Sequence, residues 1–421
     1  MPAKTRTSIP MKPLLLPFFA CIVLFTACQN GSRSESPSVA DATTTDAIPS
    51  PATEEKQTSE SVTEEKETNQ SVRKTPGQIT AGEWNDLAHW DFWNSLMKED
   101  IYGNMPGIWS FNLGSRIQVK TTRSNGDIVS DVPVRLLSGN KDILWEGRTD
   151  NKGIVNLFPL MSGQQRTKDD LKIQAGNEQP KTINASQQET ARLTISGYNR
   201  PAAVLDAAFV VDATGSMSDE MDYLKAELTD VIGKVADHNP GVAINTAAVF
   251  YRDEDDAYLT RKSGFTDDIS ATVQFIRKQD ADGGGDFPEA VHTALDVALN
   301  DLQWSQEARA RILFLVLDAP PHQDQQVIAK VNQLVALASR KGVRIIPVVS
   351  SGIDKETEFL MRYMAIATGG TYVFLTDDSG IGNSHLQPTV GRYDVAYLND
   401  LMVRLIDSYV TVNGRRQAAL Q

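Results

Sequence analysis

The sequence predicts a mixed α/β protein: a doubly wound, mostly parallel sheet, preceded by a small antiparallel β-sandwich and a disordered N-terminal tether. Three observations carry that reading. From Ala202 to Val410, near-continuous apolar strands alternate with amphipathic helices, the pattern of a parallel sheet covered on both faces. Between Arg116 and about Gly197, apolar and polar residues alternate in short runs broken by Asn-, Asp- and Gly-containing turns, as in half-buried strands. From Gln29 to Gly77 the chain is dominated by Ser, Thr, Glu, Pro and Ala and has no aromatic residue, so it holds too little apolar area to offset chain entropy.

Composition bounds the function. The 421 residues are 41% hydrophobic and 23% charged, enough for two or three domains and a sizeable core. With 41 Lys+Arg against 54 Asp+Glu, the net charge of -13 argues against nucleic acid as a partner. Acidic surfaces are equally poor partners unless a metal ion stands between. The two cysteines, Cys21 and Cys28, both lie near the N-terminus, which leaves the folded body without a disulfide, a zinc knuckle or a cysteine nucleophile.

Residues 1–27 read as a signal peptide. Lys4, Arg6 and Lys12 precede an apolar run from Leu14 to Phe25, and small residues follow, Thr26-Ala27-Cys28. The run is shorter than the roughly 20 residues of a comfortable membrane span. Small residues directly before a cysteine resemble the lipobox of bacterial lipoproteins, although Phe25 stands where Leu is usual. The resemblance implies cleavage before Cys28, lipidation of Cys28 and anchoring in a cell-envelope membrane. Gln29 resembles the residue that permits sorting to the outer membrane of a diderm host. Residues 28–78 would then be a charged, self-repelling tether.

Residues 79–110 read as a connecting segment. Trp84, Trp90, Phe92, Trp93, Tyr102 and Trp109 keep no clean helical period, so a short helix flanked by turns is expected, packing as a strap against a neighbouring domain. Residues 111–199 contain five or six short strands, from IQVKTT through ARLTIS, separated by turns such as Thr149-Asp150-Asn151-Lys152-Gly153. Their order resembles the transthyretin-like or carboxypeptidase-regulatory sandwich modules, with Asp150 as an Asx-turn residue.

Residues 202–412 carry the function. Helices are expected over about 219–235, 268–277, 288–302, 324–339, 355–367 and 394–410, between the strands AAFVVD, VAINTAAVFY, RILFLVLD, RIIPVVS and TYVFL. Ligand sites in such sheets lie at the carboxyl ends of the strands. The first strand runs straight into Asp212-Ala213-Thr214-Gly215-Ser216, which offers one carboxylate and two hydroxyls from a single turn. Asp286 sits in a Gly283-Gly284-Gly285 loop and Asp318 ends RILFLVLD, so three loops leave one edge of the sheet. An all-oxygen donor set suits Mg²⁺ or Mn²⁺.

Here the chain from about Leu205 to Val410 resembles a von Willebrand factor type A (VWA) domain, and Asp212-x-Thr214-x-Ser216 matches that family's metal-ion-dependent adhesion site. The resemblance implies Thr214 and Ser216 as direct ligands, Asp212 and Asp318 as carboxylates bound directly or through water, and a protein partner presenting an Asp or Glu to the metal. The family's second-loop Thr is absent, and counting from the glycine run puts Asp286 in its place. Asp253, Glu254, Asp255 and Asp256 are expected to be a solvated acidic loop. Glu289 reads as an acid in a first helical turn, and His322 as a loop-stiffening residue.

An enzyme would use the same residues differently. Asp212-Ala213-Thr214-Gly215-Ser216 is superficially similar to a phosphoryl-transfer motif with Asp212 as nucleophile, but Ala213 and the Ala-Pro-Pro-His after Asp318 supply none of its partners. A hydrolase with Ser216 and His322 would lack the nucleophile elbow around Ser216. The sequence therefore predicts a binding protein with no catalytic residue.

Overall fold

The computed structural model describes residues 74–161, 171–183, 190–198 and 201–411. The signal segment, Cys28 and most of the tether lie outside them. The described chain enters as a strand, β1 (Thr80–Trp84), followed by helices α1 (Trp90–Leu96) and α2 (Asp100–Ile108). Seven short strands come next: β2 (Ile117–Thr122), β3 (Pro133–Leu137), β4 (Ile143–Arg148), β5 (Ile154–Leu157), β6 (Leu171–Ala175), β7 (Lys181–Ile183) and β8 (Ala191–Thr194). The remainder alternates β9 (Ala202–Asp212), α3 (Met221–His238), β10 (Ala243–Tyr251), β11 (Thr260–Thr266), α4 (Ile269–Arg277) and α5 (Val291–Asp296). It ends with β12 (Ala308–Leu317), α6 (Gln325–Lys341), β13 (Val343–Val349), α7 (Lys355–Thr368), β14 (Tyr372–Leu375), β15 (Ala396–Tyr397) and α8 (Leu398–Val410).

The large sheet has eight strands in the order β11-β10-β9-β12-β13-β14-β1-β15. From β10 to β14 the pairing is parallel; β11 and β1 run against their neighbours. The predicted doubly wound, mostly parallel α/β sheet is therefore the observed one. Alternate residues of β9 serve its two faces. Ala208 and Val210 join the core shared with α5, α6 and α7, while Ala207, Phe209 and Val211 join the core shared with α3 and α8. Burial on both faces is what removes the polar alternation from these strands.

Local sequence sets the helix ends. Asp268, Asp324 and Asp354 cap α4, α6 and α7 by accepting backbone N–H bonds in the first turn. Gly342 and Gly369 close α6 and α7 with φ of 73° and 74°, a conformation that costs other residues strain. The helix expected from Pro288 begins only at Val291; ahead of it Glu289 forms an isolated parallel bridge with Pro321 and donates its N–H to Pro320 O at 2.9 Å.

Three parts of the topology depart from the sequence reading. Thr80–Trp84, read as part of a connecting segment, is a strand of the large sheet between β14 and β15. The expected strap lies just beyond it: Trp93 stacks on Phe359 of α7 at 5.2 Å, and Phe111 stacks on Tyr363 at 3.4 Å. The sandwich region forms a three-stranded sheet, β5-β2-β8, and a four-stranded sheet, β4-β3-β6-β7. It is not wholly antiparallel, because β8 pairs parallel to β2. No hairpin joins those two strands, so no turn dictates their relative direction. The third departure is β11, a polar edge strand absent from the expected elements.

Candidate metal centre

Parallel pairing puts Asp212 at the carboxyl end of β9, in register with Tyr251 of β10, and brings Asp318 to the same edge one residue past β12. Asp212 is wholly buried. Its Oδ1 accepts two bonds from Thr214, one from the backbone N–H at 2.9 Å and one from Oγ1 at 2.7 Å. The Thr214 hydroxyl lies 3.2 Å from Ser216 Oγ. Thr214 is buried and Ser216 is exposed, so the turn presents its second hydroxyl to solvent. Ser216 also lies close enough to the Asp318 carboxylate to lower its pKa, which brings the first and third loops together.

The glycine loop closes over this turn. Gly215 N–H donates to Gly283 O at 3.0 Å, and a side chain on Gly215 would meet that oxygen at 2.8 Å. Gly283 and Gly284 have φ of 80° and 75°. The Asp256 carboxylate holds the loop by accepting the Gly284 N–H at 2.9 Å, and it also accepts the Asp253 N–H at 3.1 Å. Part of the acidic run is thus structural rather than merely solvated. Asp253 pairs with His322 Nε2 at 2.9 Å, which pins the Pro-Pro-His turn after Asp318.

Of the predicted site residues, Asp212, Thr214, Ser216 and Asp318 come together. Asp286 is exposed, makes no hydrogen bond to them among the described residues, and acts by its charge on His322. The carboxylate that does turn inward is Glu289, only 3% exposed. A β-carbon built on Gly284 would lie 3.0 Å from Glu289 Oε1 and 3.3 Å from Thr214 Cβ, so both side chains crowd the same glycine. Glu289, read from the sequence as an acid in a first helical turn, instead stands just before the helix, which begins at Val291, and is buried. The one hint in the sequence was its position three residues after Asp286, directly beyond Pro288 and before an apolar helix.

Electrostatics mark this cluster as a site that lacks positive charge. Burial pushes Asp212 up to about 6, against the bonds from Thr214 that lower it. Burial, then the charge of Asp212, carries Asp318 to about 7. Glu289 rises to about 9 through burial and the charges of Asp212, Asp253, Asp318 and Asp256. Asp212 Oδ2, Asp318 Oδ1 and Glu289 Oε2 are buried with no hydrogen-bond partner among the described residues. Buried acceptors of this kind are costly unless something satisfies them. Among the described residues no three His, Cys, Asp or Glu side chains form a metal-binding group by themselves. Any ion here must draw on the hydroxyls of Thr214 and Ser216, and the orphaned carboxylate oxygens fit that role.

An open α/β sheet with oxygen donors converging at the carboxyl ends of its strands defines the class of domain. Residues 206–381 match the family described as von Willebrand factor A domain, so this part of the chain is a VWA domain, a kind that commonly mediates protein–protein interaction. Two curated proteins share sequence with it. An ariadne-like RING finger protein of Acanthamoeba polyphaga mimivirus is 39% identical over 124 residues, which is 28% of this chain and 11% of that protein. The alpha-protein kinase vwkA of Dictyostelium discoideum is 28% identical over 158 residues, 37% of this chain and 24% of that protein. The chain thus spans a quarter or less of each. Among solved structures, the conserved hypothetical protein BatB from Bacteroides thetaiotaomicron covers 49% of this chain and 98% of its own, with 11% identity and a TM-score of 0.35.

Proposed function

We propose that this chain is a lipid-anchored protein of the cell envelope whose VWA domain holds Mg²⁺ or Mn²⁺ and, through the ion, a protein partner presenting an Asp or Glu side chain. The observation that carries the reading is the pair of buried, unpartnered carboxylate oxygens, Asp212 Oδ2 and Asp318 Oδ1, beside the hydroxyls of Thr214 and Ser216. Thr214 and Ser216 would bind the ion directly. Asp212 and Asp318 would supply charge directly or through water, and Glu289 would face the ion from the second loop. Asp286, read from the sequence as a ligand, is better placed to meet the partner at the rim. A bound ion supplies the positive charge that lets an acidic side chain dock on an otherwise acidic edge.

The binding reading is favoured over phosphoryl transfer through Asp212 by the burial of that residue. A nucleophile must reach its substrate, whereas this carboxylate is enclosed and one of its oxygens is committed to Thr214. Lipidation at Cys28 would hold the protein on a membrane, in a diderm host the outer one, with no part for nucleic acid. Affinity capture from envelope extracts, with and without chelator, tests the function. A partner should be retained by the wild type with Mg²⁺ and lost with chelator or with Ser216→Ala. Capture that ignores both changes would contradict metal-dependent binding.

A further inference from the structure

At the opposite, amino-terminal edge of the large sheet, a cavity of about 250 Å³ lies where the β-sandwich meets the VWA domain. Arg148 from the end of β4, Arg311 from the start of β12, and Arg340 and Lys341 from the last turn of α6 all line it, together with Trp304 and Gln303. Four cations around one small cavity are unexpected in a chain whose net charge is -13.

Nearby carboxylates do not balance them. Arg148 and Arg311 share a single acid, Asp131, at 2.7 Å and 3.0 Å. Arg311 is 4% exposed and is held from behind by the Ser305 and Gln306 carbonyls at 2.7 Å and 2.6 Å. Asp206, the other buried acid beside the cavity wall, is occupied by Asn245 and by Ser305. Lys341 donates to the Leu299 carbonyl, and no ion pair engages Arg340 among the described residues. The dipole of α6 favours cations in its last turn, which accounts for where Arg340 and Lys341 stand but leaves their charge facing the cavity. Burial and the charge of Arg340 both disfavour the Lys341 cation, the mark of positive charges held together without a counterion.

We propose that this cavity binds a small oxyanion of phosphate chemistry. The Arg340 guanidinium, which no hydrogen bond or ion pair engages among the described residues, presents a fork that matches phosphate oxygens in bidentate geometry. The Lys341 ammonium adds a compact point charge, and Arg148 and Arg311, which share Asp131, add positive field. A cavity of about 250 Å³ has room for a diphosphate group. Because Arg148 and its partner Asp131 belong to the sandwich while Arg311, Arg340 and Lys341 belong to the VWA domain, the ligand ties the two together. The site is independent of the metal centre.

Calorimetric titration of the full chain with inorganic phosphate and with pyrophosphate tests this, in chelator so that no metal can recruit the anion at the other edge. Wild type should bind one equivalent of pyrophosphate more tightly than phosphate, with affinity that weakens as salt rises. Arg340→Gln and Lys341→Gln should each bind at least about tenfold more weakly, the loss of one charge-assisted contact. Arg340 is exposed, so Arg340→Gln leaves the fold intact even if the second variant does not. No saturable binding by wild type at millimolar pyrophosphate, or equal affinity in wild type and Arg340→Gln, would overturn the proposal.

Discussion

Asp212, Asp318 and Glu289 hold their protons more tightly than the ordinary carboxylate value of about 4 allows. Their values are about 6, 7 and 9. The sign of the stability effect follows from linkage. An acid whose pKa is raised by folding leaves the native state fully stable below its unfolded pKa, and stability drains away as pH climbs through the folded value. In chelator, the melting temperature should therefore fall between pH 5 and pH 8, and saturating Mg²⁺ should restore more of it at pH 8 than at pH 5. Thermal melts under the four conditions check this; a flat profile in chelator would contradict the charge-poor site. At this scale the sequence was informative about the first loop, because Asp-x-Thr-x-Ser is contiguous and its oxygens share one turn. It held only a positional hint for Glu289 and none for the part of Asp256, since both depend on how the glycine loop folds back over Gly215. Counting from the glycines placed Asp286 by spacing alone, and spacing does not say which carboxylate turns inward.

The strand that precedes the sandwich and the strap beyond it are integral to the sheet. Gly82 of β1 packs under the Phe374 ring, where an added β-carbon would lie only 2.5 Å from it. Just beyond β1, Asp86 is 4% exposed and pairs with the Arg362 guanidinium of α7, itself 1% exposed, at 2.6 Å and 2.9 Å. Without Asp86 the Arg362 guanidinium keeps the Glu358 carboxylate at 3.5 Å and the Thr389 carbonyl, so the cost falls toward the lower end of the range of about 3–5 kcal/mol for a broken buried pair. Asp86→Ala should lower unfolding stability by about that amount in urea titration. A loss under about 1 kcal/mol would mean that the segment merely rests on the domain. The long apolar strands and capped helices were legible because burial on both faces and Asp caps leave strong local marks. The strand β1 was not, since its TAGEW carries little apolar periodicity and its partners, Tyr372–Leu375 and Ala396–Tyr397, are roughly three hundred residues away. The polar β11 was hidden for a related reason: an edge strand with one neighbour needs no buried face.

Across the whole molecule, the sheet separates two charge environments. Its carboxyl edge gathers unpartnered acids, and its amino edge gathers cations around the sandwich junction. The anchor assigned from the sequence belongs to this scale too. Cys28→Ser should move the protein from the membrane fraction to the soluble one on fractionation, because on this reading the acyl chains supply the attachment. Unchanged membrane partitioning would rule out the lipid anchor. The central claim is that the Asp212 loop holds a divalent cation, and calorimetric titration of Mg²⁺ and Mn²⁺ into wild type and Asp212→Asn tests it most directly. Asparagine keeps an oxygen for the Thr214 bonds while removing the charge and replacing the second oxygen, the one free to face the ion, with an NH2 group. The account predicts one saturable ion per wild-type chain, with affinity reduced by about a hundredfold or more in the variant, the scale expected when a charged ligand is lost. Equal affinity in the two proteins, or no saturable binding in the wild type, would contradict it.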